Sequence, residues 1–163
     1  MPSHQPDIDL RPPHRIQPAE KRGRSRLIGL TKGGRNSKLH AVCDSMGRPI
    51  QMYLSAGQTS DFIGAAGLLG AMPRVKALLA DRGYDADWFR NALIDKGITP
   101  CIPSKKNRKV QIEHDAILYK KRHKIENMFG HLKDWRRIAM RFDRRADIFL
   151  SACALAAIVL FWL

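Results

Sequence analysis

Segments with a strand pattern alternate with segments with a helix pattern from Lys38 to the end of the chain. A strand-like segment at 39–43, a turn-like segment at 44–47 and a second strand-like segment at 49–54 predict a β-hairpin. The other predicted elements are a helix capped by Ser60 and Asp61, a buried strand over 75–80, a helix over 85–96 closed by Gly97, a strand over 98–102, a long helix from about His114 and a buried closing helix over 148–163. This order favours an α/β fold with a mixed sheet flanked by helices.

The two ends of the chain differ from this pattern. Residues 1–37 are rich in Pro, Arg, Gly and Ser and have no sustained apolar period, so little regular structure is expected there. The apolar run over 148–163 is shorter than the roughly 20 residues that span a bilayer, which favours a buried helix over a membrane anchor. The first residues lack the apolar stretch of a secretory signal. We therefore expect a chain that stays in the cytoplasm and has no membrane partner.

Charge indicates the class of partner. Twenty-nine Lys and Arg against fifteen Asp and Glu leave a net charge of +14, which creates a positive potential over much of the surface. Nucleic acid fits this charge best, because binding to phosphates releases counterions. A ribosome-associated or merely basic protein is the alternative, and charge does not separate the two. The three cysteines form no C-x-x-C pair, which argues against a zinc or redox motif and is typical of a reducing cytosol.

Asp81 directly follows the predicted strand over 75–80. A carboxylate in that place emerges at the carboxyl end of the sheet, where ligands commonly bind. The alternative is that Asp81 only caps the following turn, although Asp85 is better placed to begin the next helix and can take that role. Position therefore favours a functional Asp81.

Four polar residues with spacings of 3, 4 and 7 share one face of the predicted long helix: Tyr119, Arg122, Glu126 and Lys133. At 100° per residue they lie within about 60° of one another. An apolar stripe adjoins this face, formed by Ile125, Met128, Phe129 and Leu132. Glu126 is thus expected at the edge of the core, where a carboxylate needs a partner or a metal. The alternative is a solvated face on which Arg122 and Glu126 pair, and the residues alone leave both open.

These motifs resemble a known family. The spacing Tyr119-x2-Arg122-x3-Glu126-x6-Lys133 matches the Y-R-E-K signature of bacterial insertion-sequence transposases, and residues 79–84 (LADRGY) resemble their second-aspartate segment. Residues 31–41 and 54–61 resemble the IS-five branch of the IS-five/IS-four type. The resemblance covers about residues 28–163. It implies a ribonuclease-H-like mixed sheet flanked by helices, with 31–163 as the catalytic domain and 1–30 as a poorly structured N-terminal remnant.

The resemblance also implies the site. Asp81 would be the second catalytic acid and Glu126 the third, together holding two Mg²⁺ or Mn²⁺ ions. The family's first acid lies on the first strand; here the candidates are Asp7 or Asp9, which precede the pair Pro12-Pro13. Consecutive prolines disfavour a central strand. The first strand is therefore doubtful, and the chain resembles a truncated or frameshifted copy.

The implied function is transposition of an insertion sequence by metal-dependent DNA strand cleavage and strand transfer. Its partners would be the element's terminal repeats, target DNA and further copies of the chain on DNA, at the bacterial nucleoid. The alternative is a DNA-binding remnant without catalysis. The residues expected to contact DNA are Tyr119, Arg122, Lys133, Lys105, Lys106, Arg108, Lys109, Arg136 and Arg137.

Overall fold

The computed structural model describes residues 27–163. The two candidates for the first acid, Asp7 and Asp9, and the strand that would carry them lie outside the described residues. Within the described part, strands and helices follow one another in the alternating order that the sequence pattern predicts. The mixed α/β class is therefore confirmed.

An antiparallel sheet begins the described chain. Its strands are β1 (Gly29–Thr31), β2 (Gly34–Cys43) and β3 (Pro49–Ala56), in the order β1-β2-β3. The predicted hairpin is confirmed, but regular structure starts at Gly29, inside the segment where the sequence pattern indicated little of it. Gly34 begins β2 with a φ of 95°, a left-handed conformation that glycine adopts without a steric penalty. The turn between β2 and β3 is held by Asp44 Oδ1, which accepts from the amides of Met46 and Arg48.

A second, parallel sheet pairs β4 (Ala77–Leu79) with β5 (Thr99–Cys101). Helix α1 (Asp61–Leu69) precedes it, and α2 (Asp87–Asp95) connects its two strands. These elements share one core, formed by Ala65, Phe89, Leu93, Ile98 and Ile102. The prediction of a buried strand over 75–80 is wrong in its burial, because all three residues of β4 are only half-buried. Within residues 27–163 the two sheets are not hydrogen-bonded to each other, so a continuous ribonuclease-H-like sheet stays a prediction.

The caps of α1 and α2 agree with the sequence pattern in part. Gly97 follows α2 with a φ of 72°, and its amide donates to Ile94 O, as a helix-closing glycine does. Ser60 is the N-cap residue of α1, but its buried hydroxyl has no hydrogen-bond partner in the described chain. Helix α2 begins at Asp87 after the N-cap Ala86, so Asp85 does not begin it.

The predicted long helix consists of three consecutive pieces. Helix α3 (Ala116–Tyr119) tightens into a 3-10 turn at Lys120–Arg122 and continues as α4 (His123–Asp134). Asp115 caps α3 by accepting from the Leu118 amide. The predicted apolar stripe is confirmed, since Met128 and Leu132 are buried while Ile125 and Phe129 pack against the same core. A short helix, α5 (Arg136–Ala139), and the closing helix α6 (Ala146–Phe161) follow.

Helix α6 completes this second core with one face. Phe149, Cys153, Ala156 and Ala157 are buried against α4 and β3, whereas several apolar residues on its other faces are exposed. The prediction of a buried closing helix is thus correct for this face only, because α6 lies at the surface and is packed on one side. Among residues 27–163, no helix combines the length and the apolar character needed to cross a membrane.

Candidate functional site

Asp81 lies two residues after β4 and forms the N-cap of a 3-10 turn at Arg82–Tyr84. Its Oδ1 accepts from the Gly83 amide at 2.8 Å, and its carbonyl accepts from the Tyr84 amide at 3.0 Å. The capping role that the sequence left open as the alternative is therefore present. Capping uses one carboxylate oxygen, and in the described structure Oδ2 accepts no hydrogen bond. The turn fixes the orientation of a half-exposed carboxylate.

A second carboxylate, that of Asp61, lies beside this turn. A Cβ atom built on Gly83 would be 2.6 Å from Asp61 Oδ2 and 2.9 Å from Asp81 Oδ1, so the two oxygens are separated by no more than the sum of these distances. Lys38 Nζ donates to Asp61 Oδ1 at 2.9 Å and to Thr59 O at 2.8 Å. The lysine offsets the repulsion between the neighbouring carboxylates. Sequence reasoning treated Asp61 only as a helix cap; the available signal was its place in the family-like segment 54–61.

Behind the turn lies a buried polar chain. His40, which is 3% exposed, has its Nε2 at 2.8 Å from Ser55 Oγ and its Nδ1 at 3.0 Å from Tyr84 Oη. Burial lowers the pKa of His40, Asp61 raises it, and Lys38 lowers it, with a net decrease. Burial and the charges of Asp61 and Asp81 raise the pKa of Tyr84. This chain connects β2 and β3 to the Asp81 turn, and sequence reasoning did not identify it.

Asp85 ends the same turn and is buried, with a side chain that is 0% exposed. Its Oδ1 accepts from Arg90 Nε at 2.8 Å and from Arg108 at 3.0 Å, while its Oδ2 accepts from the Lys105 amide at 2.8 Å. Burial raises the pKa of this carboxyl. The hydrogen bonds from the Lys105 amide and Arg90, together with the charges of Arg90 and Arg108, lower the pKa by more, so the net shift is downward. The expectation that Asp85 begins α2 was wrong. Its buried carboxylate instead accepts hydrogen bonds from Arg90, Arg108 and the Lys105 amide, because a buried charge needs such partners.

Arg122 interacts with two other members of the helical signature. Arg122 pairs with Glu126, and the Arg122 guanidinium lies 5.8 Å from the centre of the Tyr119 ring. In a 3-10 turn, side chains three residues apart are eclipsed, which explains the contact between Tyr119 and Arg122. The Glu126 side chain is 59% exposed. The expectation that Glu126 lies at the edge of the core was wrong, because the apolar residues of α4 face α6 and leave Glu126 on the solvated side.

The proposed acids are not assembled into one ligand group. In the described chain, no hydrogen bond or ion pair joins Glu126 to Asp81, and no three His, Cys, Asp or Glu residues are grouped closely enough to hold a metal ion. The donor chemistry fits a hard cation, since Asp81, Asp61 and Glu126 offer the carboxylate oxygens that Mg²⁺ and Mn²⁺ prefer. These residues therefore offer suitable ligands, while the arrangement of two ions between them stays a prediction.

The basic residues predicted to contact DNA differ in whether they pair with a carboxylate. Arg108, Arg122 and Arg137 pair with carboxylates, and Arg137 binds both oxygens of Asp143 at 2.7 Å. By contrast, four residues are exposed and have no ion pair with any described residue: Lys106, Lys109, Lys133 and Arg136. Lys105 is half-exposed, and its backbone amide donates a hydrogen bond to the Asp85 carboxylate. Four of the nine predicted contacts thus present a charge without a carboxylate partner in the described structure.

Comparison with known proteins identifies the family. Residues 16–162 match the family described as transposase DDE domain, a match that begins after Asp7 and Asp9. The chain is 32% identical over 157 residues to a putative transposase for insertion sequence element IS402 of Burkholderia cepacia, covering 85% of this chain and 72% of that protein. It is 36% identical over 129 residues to a putative transposase for insertion sequence element IS6501 of Brucella ovis, covering 78% of this chain and 98% of that protein. No solved structure matches.

Transposases act on DNA, and DDE transposases generally use divalent metal ions. The match extends over both the Asp81 turn and the helical signature around Glu126. The chain therefore belongs to the DDE transposases of bacterial insertion sequences.

Proposed function

We propose that this chain catalyses metal-dependent DNA strand cleavage and strand transfer during transposition of an insertion sequence. Asp81 is the second catalytic acid and Glu126 the third, and the first is Asp7 or Asp9. The observation that carries the proposal is the place of Asp81: its carboxylate is oriented by the Gly83 amide just beyond the end of a parallel strand. Ligands commonly bind at that end of a sheet.

Each site residue has a defined part in this proposal. Asp81 and Glu126, with the first acid, would hold two Mg²⁺ or Mn²⁺ ions, which supply activation of a water or 3′-hydroxyl and stabilisation of the leaving oxygen. The Gly83 amide fixes Oδ1 of Asp81. Lys38 holds Asp61 against the same turn. Arg122, placed between the Tyr119 ring and the Glu126 carboxylate, orients that carboxylate.

DNA binding in the proposal depends on exposed positive charge. Lys106, Lys109, Lys133 and Arg136 contact phosphates, which position DNA without reading its sequence. The net charge of +14 adds a general attraction for DNA. The substrates are the terminal repeats of the element and a target DNA, bound by more than one copy of the chain at the bacterial nucleoid.

The test uses the full chain with Mg²⁺ or Mn²⁺ and DNA that carries the terminal repeats of its element. Asp81→Asn and Glu126→Gln should each abolish nicking while leaving DNA binding nearly unchanged. Asp95→Asn, at an exposed carboxylate on α2, is the control with the same change in charge and should cleave like the wild type. Cleavage at the wild-type rate by either acid variant would remove that residue from the site.

Two further outcomes separate the rival functions. A wild-type chain that binds DNA but never nicks it with either metal would identify the DNA-binding remnant without catalysis. Pre-cut element ends test strand transfer directly, because their 3′-hydroxyls need only to be joined to a target. Nicking without joining would indicate a nuclease of this family and would overturn the strand-transfer part of the proposal.

A further inference from the structure

The loop over residues 104–112, called the basic loop below, is a closed unit. Ser104 Oγ accepts from the Ile112 amide at 2.8 Å, which ties the two ends of the loop together. Gln111 Nε2 donates to the carbonyls of Lys105 and Arg108 at 3.2 and 2.9 Å. The Arg108 amide also donates to Lys105 O at 3.1 Å. These bonds give the loop a defined shape, so whatever holds it determines where its lysines lie.

Asp85 connects this loop to the turn of Asp81. One carboxylate oxygen accepts from the Lys105 amide, and the other accepts from Arg108, so both contacts with the loop meet on one side chain. Arg108 also pairs with Asp87 at the start of α2. On its other side, Asp85 accepts a hydrogen bond from Arg90 Nε. The Nη2 atom of Arg90 donates to Ile102 O at 2.7 Å. The loop is therefore docked through a buried carboxylate.

The same turn connects Asp85, the residue that docks the loop, to Asp81. The Tyr84 amide donates to Asp81 O at 3.0 Å and the Asp85 amide donates to Arg82 O at 3.2 Å. Asp81 and Asp85 are thus the two ends of one hydrogen-bonded turn. Lys106 and Lys109 are exposed on the docked loop and have no ion pair with any residue of the described chain. Their charges are available to a polyanion.

We infer that Asp85 is a positioning residue, which docks the basic loop so that Lys106 and Lys109 bind phosphates of the DNA held at Asp81. The inference rests on the proposed function, since it names the positioning of DNA at the same site. Asp85 itself does not touch DNA. It acts through the Lys105 amide and Arg108, and through them it determines the position of the two lysines.

The first experiment is a double-mutant cycle on DNA binding by the full chain, with a duplex of unrelated sequence. It compares Asp85→Asn, the pair Lys106→Ala and Lys109→Ala, and all three together. If Asp85 acts through the two lysines, Asp85→Asn weakens binding in the wild-type background but not after the lysines are removed. The salt slope of the lysine variant should fall by about 0.9 for each lost phosphate contact. General destabilisation would weaken binding in both backgrounds.

The control is Asp95→Asn, which changes the net charge equally on α2 but lies outside these contacts. By charge alone, both asparagine variants should bind DNA slightly more tightly. Weaker binding by Asp85→Asn together with unchanged or tighter binding by Asp95→Asn supports the inference. Equal binding by the two variants would overturn it.

Hydrogen exchange gives a readout without DNA or activity. In Asp85→Asn the Lys105 amide should exchange faster, while amides of the β2–β3 hairpin keep the wild-type rate. Should Asp85→Asn fail to fold, Arg108→Gln replaces it in the exchange measurement, because that substitution leaves the Arg90 contact intact. Additive losses of binding in the cycle, or an unchanged Lys105 exchange rate, would overturn the inference. If the wild-type chain bound DNA normally but did not cleave it, the proposed catalysis would be rejected. The double-mutant cycle would still test the role of Asp85, because it measures DNA binding only.

Discussion

The carboxylates of Asp61 and Asp81 both lie against Gly83, within 2.6 and 2.9 Å of the point where a Cβ atom would stand. Residues from α1 and from the turn after β4 are thereby brought together at the candidate site. The close approach is possible because position 83 has no side chain. Lys38 neutralises part of the local negative charge through Asp61. Gly83 is therefore a position at which the packing of this site is sensitive to one added atom.

Gly83→Ala should destabilise the fold by about 1 kcal/mol, at the lower end of the usual cost of overpacking, because a carboxylate can move partly aside. The displaced Asp81 would lose its hydrogen bond from the amide of residue 83. Urea unfolding measures the loss, and the proposed DNA nicking should fall with it.

Gly70→Ala is the matched control for that substitution. A Cβ atom there has nothing within 4 Å, and Gly70 has a right-handed helical conformation. Alanine at such a position stabilises a protein by about 0.4–1 kcal/mol, mainly by restricting the unfolded chain. If the free energies of unfolding of Gly83→Ala and Gly70→Ala were equal, the crowding at Gly83 would have no energetic consequence.

Tyr84→Phe removes the hydroxyl that contacts His40. The Nδ1 atom of His40 then stays buried without its 3.0 Å partner, which costs about 1–3 kcal/mol. Tyr53→Phe is the control, because the Tyr53 ring lies 6.2 Å from that of His40 but its side chain is exposed; its effect should stay within about 0.5 kcal/mol. Urea unfolding at neutral pH compares the two variants. Equal stability of Tyr84→Phe and the wild type would show that the contact contributes nothing.

The lowered pKa of Asp85 predicts a pH dependence in the acidic range. Its ionised form is stabilised in the folded state by Arg90, Arg108 and the Lys105 amide. A carboxyl whose folded pKa is depressed contributes stability above its unfolded pKa of about 3.9 and loses it as the pH falls towards the folded value. The stability difference between the wild type and Asp85→Asn should thus be constant above pH ~5 and shrink below pH ~4. Urea unfolding across this range tests it, and a constant difference would contradict it.

Local features of the fold could be predicted because they depend on residues close in sequence. Two strand-like segments around a turn-like one predicted the β2–β3 hairpin, and the spacing of Met128 and Leu132 predicted the buried face of α4. The prediction that Gly97 closes α2 was also correct. In each case the physical cause is the period of one element or the conformational freedom of one glycine.

The site was predicted less completely because its contacts join distant parts of the chain. His40 and Tyr84 are 44 residues apart, and Asp85 and the Lys105 amide are 20 apart, so no periodic pattern links them. The exposure of Glu126 also depends on which side of α4 faces α6. The sequence did place Asp81 after a strand, but which carboxylate stands beside it became clear only from the packing of α1.

The adjacent arginines of α5 should contribute differently to DNA binding. Arg136 is exposed without an ion pair in the described chain, whereas Arg137 gives two hydrogen bonds of 2.7 Å to Asp143. The folded chain should bind duplex DNA with a steep salt dependence, since each phosphate contact adds about 0.9 to the slope of log K against log salt. Arg136→Gln should therefore lower this slope by about 0.9, because it removes one phosphate contact.

Arg137→Gln changes the net charge by the same amount but removes a guanidinium already committed to Asp143. Its slope should stay close to that of the wild type, although overall affinity falls slightly through the weaker long-range potential. Binding titrations of both variants at several salt concentrations separate the two effects, since a direct contact alters the slope. Equal slopes for the two variants would contradict the distinction between paired and unpaired arginines, and a flat salt response of the wild type would contradict a phosphate-dominated interface altogether.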